Sequence, residues 1–252
     1  MMAVIFCFSL STQSFPQSNE VSFSSGMTVK PGVRFEYMDR NVDWGEEEYV
    51  SDLSAFVFAL NLEIEINQGF SISALAGYVL TDYDALTFRQ LPFSVELDAG
   101  NLGGYIVGAE VNKSLLYFDE FAFGLSGQFL YHMGIEKTWD VPDLNVSGTV
   151  TGKPTWMRAS AGAYIKFLGL ESFSPYLAVC YNNLWGQYEM KQAIQNLTGT
   201  EEKELRSKSL VDITLGSILS LSDGFFLKGE AHLLPYSDGL DLGFVAIAAF
   251  AF

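Results

Sequence analysis

From Met27 onward, apolar side chains return at every second position rather than at every third or fourth. A period of two is that of a strand with different surroundings on its two faces, because successive Cβ atoms point to opposite sides. In TVKPGVRFEYM the odd positions Val29, Pro31, Val33, Phe35 and Tyr37 are apolar, while Lys30, Arg34 and Glu36 share the even parity. In AFVFALNLEIEIN the apolar parity runs Phe56, Phe58, Leu60, Leu62, Ile64 and Ile66, with Asn61, Glu63 and Glu65 opposite. Further segments near 70–81, 103–113, 121–136, 154–167, 175–185, 209–221, 225–234 and 240–252 follow the same rule, and in this reading none carries charge on both faces. The chain therefore reads as a repeated two-faced strand.

A soluble sandwich also alternates, but it buries the apolar parity and sets polar residues outside. Here the polar parity holds Gly32, Ala59, Ser71, Ser73, Gly77, Gly108, Gly124, Ser126, Ser160, Gly162 and Ala178. Small residues beside a few charges suit a confined interior, which leaves the greasy parity facing outward. Connection lengths point the same way. NQG at 67–69 and SDG at 222–224 are tight turns, and 114–120 and 168–174 are short. They alternate with long polar stretches at 38–54, 82–102, 137–153 and 186–208, and a shorter one at 235–239. Outward-parity aromatics sort by strand end. Phe70, Phe121, Phe167, Phe225 and Phe252 fall at the short-turn end, and Tyr37, Tyr78, Tyr105, Tyr131 and Tyr181 toward the long-loop end, as two membrane-interface girdles would.

These features predict an all-β fold: a transmembrane antiparallel up-and-down barrel of about ten strands, or of eight or twelve depending on whether residues 19–26 and 91–99 pair. Residues 1–18 read as an export signal, with an apolar run from Ala3 to Leu10 but without the usual basic start, and residues 19–252 as the barrel. Residues 240–252 are the closing strand, with Leu242, Phe244, Ala246, Ala248, Phe250 and Phe252 on its outward parity and Gly243 upstream. In this pattern the chain resembles the bacterial outer-membrane β-barrel superfamily, whose members end on phenylalanine after alternating apolar residues. The resemblance is one of architecture and covers nearly everything after residue 26. It implies an outer-membrane location with both termini periplasmic, contact with membrane lipid and lipopolysaccharide, and Gly243, Phe244, Phe250 and Phe252 as a signal to the barrel-assembly machinery.

Charge narrows the partners. Lys+Arg 14 against Asp+Glu 30 gives a net charge of -16, which repels nucleic acid. Cys7 and Cys180 lie far apart without a metal-ligand spacing, so no zinc site, disulfide framework or cofactor is expected. The predicted lumen network is Lys30, Arg34, Arg158, Lys166 and Lys228 against Glu36, Glu63, Glu65, Glu110, Glu136, Asp212 and Glu230, with His232 beside them. Buried charges need partners, so a salt-bridged plug and a surface, adhesive or envelope-stabilising role is the leading reading. A narrow solute channel is the alternative. The third reading is a rim hydrolase, since ten strands is the count of the omptin proteases. Asp82 and Asp84 superficially match their Asp pair, and His132 and His232 are the histidines available, but the expected Asp-x-His and His-x-Ser neighbours are missing from this sequence. The acidic loop at Asp39, Asp43, Glu46, Glu47, Glu48 and Asp52 reads as a solvated surface loop, with divalent cations bridging to lipopolysaccharide as the alternative although its spacing matches no defined calcium loop, and EEKELRSK within 186–208 suggests a short helix.

Overall fold

A computed structural model describes residues 27–45, 50–67, 69–83, 86–88, 95–97, 100–140, 148–194, 197–222 and 224–252. The export-signal reading, residues 19–26, Glu46, Glu47, Glu48 and Asp84 lie outside them. Ten antiparallel strands close on themselves: β1 (Thr28–Asp43), β2 (Val50–Asn67), β3 (Phe70–Tyr83), β6 (Leu102–Phe118), β7 (Phe121–Gly134), β9 (Gly148–Phe167), β10 (Phe173–Ile194), β12 (Val211–Ser222), β13 (Phe225–Tyr236) and β14 (Gly239–Phe250). Four short or accessory strands complete the described chain. β4 (Leu86–Phe88) and β5 (Val95–Leu97) pair only with each other, β8 (Lys137–Asp140) pairs with β9, and β11 (Leu197–Ser207) pairs with β10. Residues 95–97 thus stay out of the barrel wall, and its count is ten.

Closure is made by β1 against β14, in a register that keeps the parities of both strands. Val33↔Ala248, Phe35↔Ala246 and Tyr37↔Phe244 meet outside, and Arg34↔Ile247 and Glu36↔Val245 meet inside. The ladder continues to the last residue, with Phe252 N donating to Val29 O at 3.0 Å. No edge is left between these strands, which is the condition for a sheet to sit in hydrocarbon. Tight turns at one end are held by left-handed backbone at Gly69 (φ 85°), Asp119 (φ 48°) and Gly224 (φ 93°).

The outward parity is mostly apolar and largely exposed, including Phe35, Phe56, Leu60, Tyr105, Phe129, Val179, Leu215 and Phe244. The aromatics pair across strands at both ends: Phe121 with Phe167 (5.2 Å) and Phe225 with Phe250 (4.7 Å) near the tight turns, Tyr78 with Tyr105 (6.0 Å) and Tyr37 with Phe56 (4.8 Å) toward the loops. One charge breaks the expected rule. Lys113 stands on the outward parity at the turn end of β6, its ammonium 5.5 Å from the Phe70 ring, where a cation can reach the interface.

Several stretches expected as loops are strand. β1 and β2 pair out to Asp43↔Val50, and β10 runs on to Ile194 and folds back through β11. EEKELRSK is therefore not a helix: residues 201–207 are strand, with Lys203, Leu205 and Ser207 turned inward and buried. Pairing with β10 outweighs the helix propensity of Glu, Lys and Leu. β11 occupies the flank of β10 that β12 holds lower down, and it also reaches β1 through Val42↔Ser207 and Asp43↔Arg206. Above the β13–β14 turn the wall is thus a second ring, β1-β2-β3-β6-β7-β9-β10-β11, with two strands fewer. At the junction Asp241 accepts from Asn41 N and Nδ2 (both 3.1 Å) and from Ser209 Oγ (2.6 Å), and Ser209 accepts from Arg40 Nη1 (2.9 Å).

Candidate functional site in the lumen

The turn-end half of the lumen is charged. Its partners are set by register, since residues directly or diagonally opposite on neighbouring strands are within side-chain reach. Lys30 lies opposite Glu63 on β2 and bonds Glu63 and Glu65 at 3.1 and 2.7 Å. Across β12 and β13, Gly216 faces Glu230 and Thr214 faces His232. The missing side chain at Gly216 makes room for the Tyr176 ring, whose hydroxyl donates to Glu230. Lys228 bridges Glu230 and Glu110 at 3.0 and 3.5 Å.

Deeper in, Glu36 is buried between two guanidiniums, 2.7 Å from Arg34 Nη2 and 2.5 Å from Arg158 Nη2. Arg34 also reaches Glu110 at 3.4 Å, and Gln128 bridges Arg158 and Glu110 at 2.9 and 3.1 Å. Removing either charge type alone would strand the other in a low-dielectric interior. Eleven of the network's thirteen predicted members meet in these chains of contacts. Lys166 lines the same space without a hydrogen bond or ion pair among the described residues, and Glu136 does not belong to it. The strand β7 stops at Gly134, and Glu136 is exposed beyond it.

The loop-end half is apolar, which the sequence reading missed. Met38, Val42, Trp44, Leu53, Val57, Val79, Ile106, Leu130, Leu184 and Leu205 are buried on the inward parity. His132 stacks on Trp156 with centroids 4.9 Å apart, and the Tyr83 and Tyr188 rings meet edge to face at 5.6 Å. The signal was present: Met38, Val42 and Trp44 continue the parity of Lys30, Arg34 and Glu36, but they fall in a stretch read as loop.

Between the charged wall and this core lies a cavity of about 410 Å³, blind at the core and lined at its other end by the turn-side residues Gly69, Phe70, Tyr117 and Leu168. A His–carboxylate pair faces it. His232 Nδ1 is 3.0 Å from Asp212, whose carboxylate also accepts from Asn182 Nδ2 (2.9 Å) and Thr214 Oγ1 (3.1 Å), while Glu230 stands 3.7 Å from Nε2. Asp212 on β12, rather than Glu230, is the nearer carboxylate, and only the cross-strand register reveals it. Asp82 is not part of this group, since it shares the outward parity of β3 with Tyr78 and Leu80.

No family model matches the sequence, and no curated protein does. Among solved structures, the outer membrane protease OmpT from Escherichia coli superposes with a TM-score of 0.51 over 92% of this chain and 97% of its own, at 10% identity. This chain shares the closed β-barrel fold of that outer-membrane protein. The translocator domain of the autotransporter NalP from Neisseria meningitidis is a further likeness, with a TM-score of 0.49 over 90% of this barrel and 88% of that chain, at 6% identity. At such identities the shared property is the barrel itself, and activity has to be argued from side chains.

Proposed function

We propose that the protein is a non-catalytic outer-membrane barrel, closed to solutes, that acts as a surface or envelope-stabilising component with its tight turns and both ends on the periplasmic side. The observation that carries this reading is the buried apolar layer spanning the eight-strand ring, which includes Trp156, only 1% exposed. An eight-stranded barrel is just wide enough for side chains to fill, so such a layer leaves no path for hydrated ions. The outward apolar parity supports contact with membrane lipid. Among the described residues no three carboxylates gather where they could hold a cation, so Asp39, Asp43 and Asp52 offer the loop end negative charge rather than a formed divalent-cation site. Phe252, bonded to β1, supports a part for the final residues in barrel assembly.

Planar-bilayer recording tests the closed state. The refolded barrel, verified by its heat-modifiable gel shift, is expected to be silent. Trp156→Ala is expected to cost about 3–5 kcal/mol of stability and to admit current by leaving a void in the layer. Stepwise conductance from the unaltered protein would instead assign a channel.

A further inference from the structure

We propose that the free flank of β11, above the point where it leaves β1, docks an extended lysine- or arginine-bearing peptide of another protein, added to the sheet as one more antiparallel strand. The inference concerns the loop-end surface and does not depend on whether the lumen is closed.

β11 pairs with β10 from Trp185↔Arg206 up to Ile194↔Leu197, but with β1 only at Val42↔Ser207 and Asp43↔Arg206, where β1 ends. From Leu205 up to Leu197, among the described residues, no strand lies on its other side. Lys208 N donates to Asn41 O at 3.1 Å, so by alternation the even-numbered residues of β11 turn their backbone N–H and C=O toward that flank. Thr198, Thr200, Glu202 and Glu204 therefore present ladder groups that no described strand meets, and their side chains are exposed on the outward face. An edge of this length in extended geometry is a template for a further strand.

The side chains specify which strand fits. Glu202 stands directly opposite Glu189 on β10, a like-charge pair that costs stability. Glu189 is answered by Lys191 at 3.1 Å and Glu204 by Arg206 at 2.9 Å, whereas Glu202 has no ion pair among the described residues. It lies between β10 and the open flank, so a residue opposite it on an added strand can supply the missing cation. A second copy of this chain would bring another acidic row. Charge at an edge deters such unselective pairing and admits a complementary chain.

The test uses the full refolded barrel in detergent micelles and the fluorescence anisotropy of a dye-labelled, capped peptide of alternating lysine and valine. About eight residues, at about 3.3 Å each, span the flank. An antiparallel strand that sets lysine opposite Glu202 points its lysine backbone N–H groups at β11. Saturable binding is therefore expected, at least about tenfold weaker when the lysine backbone nitrogens are methylated and unchanged when the valine nitrogens are. The glutamate counterpart of the peptide is expected to bind at least about tenfold more weakly as well. Thr200→Pro removes one flank-facing donor and leaves the bonds to β10, and Glu202→Lys reverses the unanswered charge; each is expected to weaken binding at least about tenfold. Should a variant fail its gel-shift control, the unaltered barrel's discrimination between the two methylated peptides decides the matter. Equal binding of both methylated peptides would assign unspecific attraction to an acidic surface and overturn the proposal. So would the absence of saturable binding, or folded variants that both bind as before.

Discussion

Glu36 shows how much depends on a single carboxylate in this lumen. It neutralises Arg34 and Arg158 at 2.7 and 2.5 Å, away from water. Replacing it with glutamine would leave two guanidiniums facing each other across an uncharged amide. Glu36→Gln is therefore expected to destabilise the barrel by about 3–5 kcal/mol, read as a lower midpoint in urea-driven loss of the heat-modifiable form. The matching change at the loop end should do little. Arg206 and Glu204 are 2.9 Å apart but 70% and 68% exposed, so Glu204→Gln is expected to shift stability by less than about 1 kcal/mol. Alternation told which face each charge occupies, including the shared inward face of Lys30, Glu63 and Glu65. It could not say that Asp212 meets His232, because that contact depends on the offset between β12 and β13, and an offset is a property of two strands at once.

The β10–β11 hairpin carries the weakest alternation in the chain's strands. Glu201, Lys203, Leu205 and Ser207 alternate with Glu202, Glu204 and Arg206, but with a single apolar residue among them the period is carried by charges that also suit a helix. The partner strand decides the outcome: β10 offers a free flank above Tyr181, and β11 fills it. Leu205 then enters the apolar layer. Leu205→Asp is expected to unseat this hairpin while the ten-strand wall below persists. The checks are a retained gel shift together with newly appearing conductance and faster protease cleavage between residues 187 and 206. Replacing the hairpin's tip, Lys191 to Thr200, by a two-residue turn should leave conductance absent, because none of the tip's described side chains belongs to that apolar layer.

The molecule tapers. Ten strands surround the charged half and eight surround the apolar half, and the change of count is made by ending β13 and β14 in a short turn and letting β11 lean across to β1. A narrower ring draws opposite walls together until side chains touch, and a wider ring leaves room for water and charge. The alternating pattern and the long–short rhythm of connections made the ten-strand wall readable. The taper was not, because β1 meets β11 through only two residue pairs some 160 positions apart in the chain. Closure by β1 and β14 has one more effect. Since Phe252 and Val29 are hydrogen-bonded neighbours, joining residue 252 to residue 27 through a few glycines and reopening the backbone between Asp119 and Glu120 would write the same cylinder in a different order. If such a rearranged chain refolds in vitro but is poorly inserted in cells, the wall itself has no preferred starting point, and the order of its strands serves the machinery that builds it.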